Sequence, residues 1–380
     1  MEPILDISAE VWGQSGIVAL TWKHPIMWAV GLLFIYLAIA KKYEPLILLP
    51  IGFGIFLVNF PASPLMGTGD EYPELLRFFY QFGLAWQILP PLIFLGIGAM
   101  TDFGPLLSNP KTLIIGGGAQ LGMPITFIGA IMIGMTPAEA AAIGIIGGAD
   151  GPTTIFLAQQ VAPHMLGAAA LAAYSYMAMV PIIQPPIMKL MTSLDERRIV
   201  MKQTRQVTRV ERIVFPILLA GLISLLVPAV MPLMAMFTFG NLMRESGVVD
   251  RLSETAEGAL VNIVTIFLGI SVGATMAAEQ FLTPIPLFVL ALGLVSFAIC
   301  TAGGILTVKV MNLFLKPENR INPLIGSAGV SAVPMAARVS QAVGAEANPQ
   351  NFLIMHALGP NLAGVVATAT AAGLFLALFG

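Results

Sequence analysis

The sequence contains few charged residues for a chain of its length. Only 10% of its 380 residues are Asp, Glu, Lys or Arg, whereas soluble domains carry about 25%. This shortage excludes a sizeable soluble domain. The formal net charge is −2, and no basic surface is interleaved with aromatic residues, so the sequence gives no indication of nucleic-acid binding.

Cysteine and histidine are also scarce. The one cysteine, Cys300, cannot form an internal disulfide and lies in an apolar run, where a buried, unreactive thiol is expected. The histidines His24, His164 and His356 are scattered at predicted span ends, which argues against a metal cluster. The N-terminus, Met1–Asp6, is acidic and lacks the basic region and apolar core of a signal peptide, so no cleaved signal peptide is expected.

Apolar residues make up 57% of the chain, and the mean hydropathy is +0.88. Stretches of eighteen or more apolar residues recur from residue 25 to the C-terminus, which is typical of a polytopic membrane protein. The predicted fold class is therefore an all-α polytopic membrane protein. The amphipathic segment 74–83 is expected at the membrane interface and is not counted as a span. Hydropathy predicts eleven spans, at 25–40, 45–60, 86–107, 112–134, 138–160, 166–190, 213–235, 259–280, 285–313, 322–344 and 350–379.

The longest polar connection, 189–212, determines the predicted orientation. It holds seven basic residues: Lys189, Arg197, Arg198, Lys202, Arg205, Arg209 and Arg212. Such an excess predicts a cytoplasmic loop, which places the N-terminus in the cytoplasm and the C-terminus outside the inner (cytoplasmic) membrane. Lys41 and Lys42 then face outward, a conflict that seven basic residues outweigh. The loop can also dock an acidic partner.

The order of sequence elements predicts an internal duplication. The stretch Ile93–Ile97, Ile-Phe-Leu-Gly-Ile, recurs at Ile266–Ile270, and each copy precedes a long apolar span, a span interrupted by small residues and one more span. Two repeats of five spans each are then expected to be inverted relative to one another, which is the layout of secondary transporters whose broken helices meet near the midplane. The predicted divisions are an N-terminal segment with the first span (1–43), repeat 1 (44–190), a basic linker (191–212) and repeat 2 (213–380).

The first interruption lies within 138–160, where Gly147, Gly148, Asp150, Gly151 and Pro152 follow one another closely. An intramembrane carboxylate is costly and is by default a candidate functional group. Asp150 can equally cap the second half-helix, with Pro152 just inside its start. Both roles are compatible, because a cap that faces a water-filled cavity can also bind a cation.

Oxygen donors accompany this carboxylate. Thr153 and Thr154 offer hydroxyls, and a single negative charge suits a hard cation such as Na⁺. The alternative for both threonines is a hydrogen bond to their own helix. The preceding half-helix begins with Thr136 and Glu139, a capping box, so Glu139 is interpreted as a cap and not as an ion ligand.

The second interruption, 322–338, has no acid but supplies Asn322, Ser327, Ser331 and Arg338. Arg338 can pair with Asp150 or bind an anionic substrate through its planar guanidinium, and the residues alone leave both open. In the last span Asn361 adjoins a proline and can coordinate an ion. Tyr176 lies in an apolar helix, where a hydroxyl bonded to a backbone carbonyl is the more common case.

With these residues assembled, the chain resembles the β subunit of the biotin-dependent sodium-pumping decarboxylases, the membrane component of oxaloacetate, methylmalonyl-CoA and glutaconyl-CoA decarboxylases. The likeness covers nearly the whole chain. The residues that carry it are Gly147–Thr153, Gly240–Gly247 and the spaced set Asn322, Gly326, Ser331 and Arg338.

The resemblance implies a subunit that accepts carboxybiotin from a carrier domain on a partner, decarboxylates it, and couples CO₂ release to Na⁺ export with uptake of an external proton. Asp150, Asn361, Asn322, Ser331 and Thr153 are then expected at Na⁺. Arg338 and Ser331 are expected to bind carboxybiotin, and Arg338, Tyr176 and Asp150 to carry the chemistry. The implied partners are biotin-carrier and carboxyltransferase subunits, a small membrane accessory subunit, further copies of the chain and membrane lipids.

Two other classes of function compete with this interpretation. A Na⁺-coupled carboxylate symporter can have the same inverted repeats and needs no biotin carrier. A structural membrane anchor for a soluble carboxyltransferase has no use for two broken helices and an interior carboxylate, which disfavours it.

Overall fold

A computed structural model describes residues 12–13, 15–66 and 74–380, so the acidic N-terminus lies outside the described residues. Within these ranges the chain is helical and contains no β-strand. The helices α1 to α19 are, in chain order, Lys23–Ala40, Pro45–Val58, Leu75–Phe79, Leu89–Met100, Gly104–Ser108, Thr112–Ala119, Gly122–Met132, Pro137–Gly144, Gly151–Val161, Leu166–Met191, Leu194–Arg197, Arg209–Leu226, Met231–Ser246, Asp250–Thr255, Val261–Ala274, Ala278–Phe281, Pro284–Leu313, Met335–Ala347 and Ile354–Phe379.

Short segments with tighter or wider turns connect several of these helices. The wider, π-type turns are Tyr80–Ala85 and Ala256–Leu260. The tighter, 3₁₀ turns are Pro64–Met66, Ile145–Gly148, Pro163–Met165, Pro228–Val230, Pro317–Asn319 and Pro323–Gly329.

Six helical stretches of the described residues are long and apolar enough to cross a membrane. They are Lys23–Ala40, Thr112–Met132, Pro163–Met191, Asp250–Ala274, Pro284–Leu313 and Ile354–Phe379. The helices Leu75–Ala85 and Leu89–Met100 also pass this test as a pair, but they are bent by 63° at the break between them. The all-α membrane class is therefore confirmed.

Two predicted spans, 86–107 and 213–235, are not single helices, and the first is interrupted between Met100 and Gly104. The segment 213–235 was predicted as a single helix, but α12 ends at Leu226 and α13 begins at Met231. Pro228 and Pro232 lie in and just after the connection, and a proline cannot supply the backbone N–H that would continue the first helix. Hydropathy remained high across the turn and so concealed it.

The described residues divide into two compact units. The first comprises the chain up to Leu89 together with Ile263–Pro286, and α1 and α2 pack against each other in it. Asn59, almost completely buried after α2, donates to the Ile55 and Met276 carbonyls (2.7 and 3.0 Å) and accepts from Ala278 N–H (2.7 Å). This amide ties the turn after α15 to the α1–α2 pair.

The second unit comprises Pro90–Asn262 and Leu287–Gly380 and contains both interrupted segments. Its last helix, α19, packs against α6, α9, α18 and the 3₁₀ turn Pro323–Gly329. A cluster of buried apolar side chains, centred on Phe94, Phe103, Phe237 and Leu362, packs beside it. Because α19 contacts elements of both interrupted segments, it brings them together.

Candidate functional site

The first interrupted segment follows from its local sequence. Helix α8 ends at Gly144, a 3₁₀ turn runs to Gly148, and Ala149 then adopts left-handed backbone angles (φ 53°, ψ 43°). Asp150 starts α9 as its N-cap, and its Oδ1 accepts from Thr153 N–H at 3.0 Å. The predicted cap is confirmed, as is the capping box of Thr136 and Glu139 at the start of α8.

The two threonines differ in their contacts. Thr154 Oγ1 donates to the Asp150 carbonyl at 2.7 Å, which is the local helix bond considered above. Thr153 Oγ1 is buried and has no hydrogen-bond partner among the described residues. Thr153 is therefore the hydroxyl that is available to a ligand.

Side-chain amides hold the second interrupted segment. Four consecutive backbone carbonyls, those of residues 327–330, accept from three buried amides. Gln184 Nε2 donates to Ser327 (2.9 Å), Gln120 Nε2 donates to Gly329 (2.9 Å), and Asn361 Nδ2 donates to both Ala328 (2.9 Å) and Val330 (2.6 Å). A non-helical backbone buried inside a protein needs such partners, so these amides maintain the interruption.

A main-chain hydrogen bond joins the two interrupted segments directly. Ser331 N–H donates to the Gly148 carbonyl at 2.7 Å. The Ser331 hydroxyl forms a second contact, at 2.6 Å, with Thr368 Oγ1 of α19. Ser331 thus directly follows the four amide-bound carbonyls in the chain. Its hydrogen-bond partner, Gly148, precedes Asp150 by two residues.

Asp150 and Ser331 line one cavity of about 320 Å³. Its other polar walls are Thr101 and Asp102, and the remaining lining is mainly apolar. Asp150 is only 6% exposed, so this residue is almost completely buried. An apolar cavity with a few convergent polar groups is the usual form of a small-ligand site.

Five buried oxygens on side chains at the two interrupted segments lack hydrogen-bond partners among the described residues: Thr153 Oγ1, Tyr174 Oη, Asn361 Oδ1, Gln120 Oε1 and Gln184 Oε1. Buried polar atoms are rarely left unpaired, so each needs an explanation such as a bound ion or water. The nearby Asp150 carboxylate adds a hard oxygen donor with a negative charge. Such a set suits a hard cation such as Na⁺.

Tyr174 was missed in the sequence, where Tyr176 was preferred. The hydroxyl of Tyr176 donates to the Leu290 carbonyl, and its ring stacks against Phe297. A Cβ added to Gly151 would overlap the Tyr174 ring, so this ring lies directly against the residue that follows Asp150. The tyrosine next to the carboxylate is therefore Tyr174.

Arg338 lies in the first turns of α18, shortly after Val333 and Pro334, which line the Asp150 cavity. Its side chain is exposed, and it forms no ion pair with a described residue. Of the two alternatives for Arg338, pairing with Asp150 is not observed. The guanidinium is free to bind an anion.

Asn322 is engaged away from this cavity. Its Oδ1 accepts from Leu324 N–H (3.0 Å), and its Nδ2 donates to the Arg197 and Ile199 carbonyls of the linker (2.9 Å each). Asn351 donates to the same two carbonyls, at 3.2 and 3.1 Å. The structure does not bring Asn322 to Asp150, because its amide already holds the linker.

The linker has its own ion pairs. Arg205 bonds both oxygens of Glu211 (3.1 and 2.7 Å) and the Leu107 carbonyl (3.0 Å). The Arg205 guanidinium and the Thr208 backbone N–H lower the pKa of Glu211 to about 2. Glu211 is therefore ionised at physiological pH, and the charge of Arg205 is locally neutralised.

Comparison with known proteins identifies the family. The sequence model of one protein family, the Na⁺-transporting oxaloacetate decarboxylase beta subunit, matches residues 23–379. The chain belongs to this family. It is 55% identical to the methylmalonyl-CoA decarboxylase subunit beta of Veillonella parvula, across 100% of the chain and 99% of that protein.

Two further relatives carry different substrate names. The glutaconyl-CoA decarboxylase subunit beta of Acidaminococcus fermentans is 55% identical, with 97% of the chain and 96% of that protein covered. The probable oxaloacetate decarboxylase beta chain of Vibrio cholerae is 49% identical, with 95% and 96% covered. The resemblance inferred from the sequence motifs is confirmed, and these relatives give no support to the symporter alternative.

Proposed function

We propose that this chain is the membrane subunit of a sodium-pumping decarboxylase, in which carboxybiotin from a partner subunit is decarboxylated and Na⁺ is moved outward. Membership of the decarboxylase β-subunit family supports the reaction class. The observation that carries the site is the bond from Ser331 N–H to the Gly148 carbonyl, because it joins two non-helical segments beside a buried carboxylate. Which acyl substrate feeds the complex is decided by another polypeptide.

In this proposal Asp150 supplies the charge that binds Na⁺. Thr153 and Asn361 contribute their unpartnered oxygens, and Ser331 lines the cavity that Asp150 lines. Tyr174 is added to the predicted ligands on the strength of its unpartnered hydroxyl. Asn322 instead fixes the second interrupted segment to the linker, since its amide groups are already bonded.

Arg338 is proposed to bind the carboxylate of carboxybiotin through its exposed guanidinium. The chemistry that carboxybiotin supplies is a C–N bond that breaks to give CO₂ and leaves a ring nitrogen to be protonated. This chain's part is to orient the anion and to deliver that proton, and Tyr176 or water near Asp150 is the proposed source. Protonation of Asp150 removes the charge that holds Na⁺, so the proton and the cation compete for one residue.

The wider architecture is proposed from the sequence pattern. Eleven spans in two inverted repeats, 44–190 and 213–380, place the interrupted segments near the midplane, and relative motion of the repeats moves Na⁺. The basic linker lies in the cytoplasm, as does the N-terminus. Biotin-carrier and carboxyltransferase subunits, a small accessory subunit and further copies of this chain complete the assembly in the inner membrane.

Inverted membrane vesicles that contain the intact complex test this function. Free carboxybiotin should drive ²²Na⁺ into the vesicles, and the Asp150→Asn complex should show neither uptake nor Na⁺-stimulated CO₂ release. Uptake of ²²Na⁺ that needs only a carboxylate gradient would support a symporter instead. Lowering the pH on the outer face should weaken the apparent Na⁺ affinity of the wild-type complex.

A further inference from the structure

The motif Gly240–Gly247, Gly-Asn-Leu-Met-Arg-Glu-Ser-Gly, has no role in the site described so far. It forms the C-terminal part of α13, and Gly247 ends that helix with left-handed backbone angles (φ 63°, ψ 23°). Its polar residues contact the end of α4 (Leu89–Met100), which leads directly into the wall of the Asp150 cavity.

Two glycines let α4 and α13 cross closely. A Cβ on Gly240 would overlap the Leu95 carbonyl of α4, and a Cβ on Gly98 would overlap the Phe237 carbonyl of α13. Small residues at such crossings allow direct backbone contact between membrane helices. The motif is therefore held at a fixed depth along α4.

Side chains of the motif bind three successive carbonyls at the end of α4. Arg244 Nη1 donates to Met100 at 2.7 Å and to Ala99 at 3.4 Å, and the fully buried Asn241 donates to Thr101 through Nδ2 at 2.7 Å. The last carbonyls of a helix have no partners within it, and a cation there is favourable. Asn241 and Arg244 together act as the C-terminal cap of α4.

The capped residues form one wall of the Asp150 cavity, which is lined by Met100, Thr101 and Asp102. Asp102 also lines a neighbouring cavity of about 310 Å³ together with linker residues, and it lies 3.5 Å from Arg212. The end of α4 thus separates the Asp150 cavity from the linker.

We infer that Asn241 and Arg244 are positioning residues, which fix the end of α4 and thereby the shape and cation selectivity of the Asp150 cavity. This inference rests on the proposed function, because cation selectivity is measured through Na⁺-stimulated decarboxylation. Neither residue touches the cation, so their substitution changes how well the cavity fits the ion and leaves the chemical step intact.

The test compares variants in the intact complex. Arg244→Met should raise the KM for Na⁺ by about fivefold, the factor that corresponds to one net hydrogen bond of about 1 kcal/mol, with kcat changed by less than about twofold. It should also lower the ratio of Na⁺ to Li⁺ stimulation. Arg244→Lys keeps a cationic donor at the helix end and should restore both values. Arg251→Met, an exposed arginine on the next helix, is the matched control.

Asn241→Leu should change the KM for Na⁺ and the Na⁺ to Li⁺ ratio in the same way as Arg244→Met. If this buried variant does not fold, the comparison of Arg244→Met with Arg244→Lys tests the inference alone. A lower melting temperature with an unchanged KM and an unchanged Na⁺ to Li⁺ ratio would show a purely structural role and overturn the inference. If the wild-type complex decarboxylates independently of Na⁺, the proposed function fails first, before any variant is compared.

Discussion

Replacement of Asp150 by Asn separates its two roles, because Asn keeps the helix cap and removes the charge. The cap bond needs only an acceptor oxygen for Thr153 N–H, now 3.0 Å from Oδ1, and Asn and Asp are equally good N-caps. In the absence of Na⁺ the variant should therefore melt close to the wild-type temperature. Asp150→Ala is the matched control, since it loses the cap as well and should lose about 0.5–2 kcal/mol of stability.

The expected loss of Na⁺ affinity is large. Two unit charges about 4 Å apart interact by about 4 kcal/mol at an effective dielectric constant of about 20. That energy corresponds to a rise of roughly 10³-fold in the Kd for Na⁺. The burial of Asp150, at 6% exposure, means that bulk water does little to screen this interaction.

Thermal stability against Na⁺ concentration measures this change without any enzymatic assay. At a Na⁺ concentration about 100 times its Kd, the wild-type chain gains about 2.7 kcal/mol. At the same concentration the Asn variant gains less than about 0.1 kcal/mol, because its Kd is now well above the Na⁺ present. Choline chloride at equal ionic strength corrects for general salt effects.

Two results would refute this reasoning. A Na⁺-dependent rise in the Asn variant of more than half the wild-type value would show that the carboxylate charge does not bind the ion. A loss of stability in Na⁺-free buffer as large as that of Asp150→Ala would show that the cap does not survive the substitution.

Three further predictions concern single contacts. Arg338→Lys should raise the KM for free carboxybiotin by about tenfold, the value of one charge-assisted hydrogen bond, and leave the Kd for Na⁺ unchanged; a normal KM would contradict bidentate anion binding. Tyr174→Phe should raise the Kd for Na⁺ by about fivefold, and Tyr176→Phe should raise it less. Isothermal titration with Na⁺ measures both Kd values, and a larger rise in Tyr176→Phe would contradict the prediction. Asn351→Ala should destabilise the chain by about 1–2 kcal/mol, because two hydrogen bonds to the linker are lost, and it should retain the Na⁺ affinity. Melting curves without and with NaCl measure both quantities. A changed Na⁺ affinity would show that the linker is coupled to the ion site.

The first interrupted segment could be predicted because its signals are local. An Asp three residues before a backbone N–H that it caps, followed by a proline in the first turn, marks a helix start whatever surrounds it. The same holds for the capping box at Thr136. Family motifs then added the expected partners of the carboxylate in the second segment.

Other parts of the site depend on contacts that leave no local pattern. Gln120 bonds a carbonyl 209 positions away, and no spacing in the sequence indicates such a bond. Tyr174 and Tyr176 lie two positions apart, about 200° around a helix that is apolar on every side, so periodicity could not decide which of them faces Asp150. The family motif places Asn322 at the ion, and nothing local indicates its hydrogen bonds to linker carbonyls more than a hundred residues away.

The bond between Ser331 N–H and the Gly148 carbonyl contains no side-chain atoms. Every amino acid except proline offers the N–H of position 331. Position 148 is more restricted, because a Cβ there would overlap Met123 and Thr368. Substitution of Asp150, Thr153 or Asn361 removes no atom of this bond. The oxygens proposed to bind Na⁺ can therefore be tested one at a time, because none of these substitutions removes a group that joins the two interrupted segments.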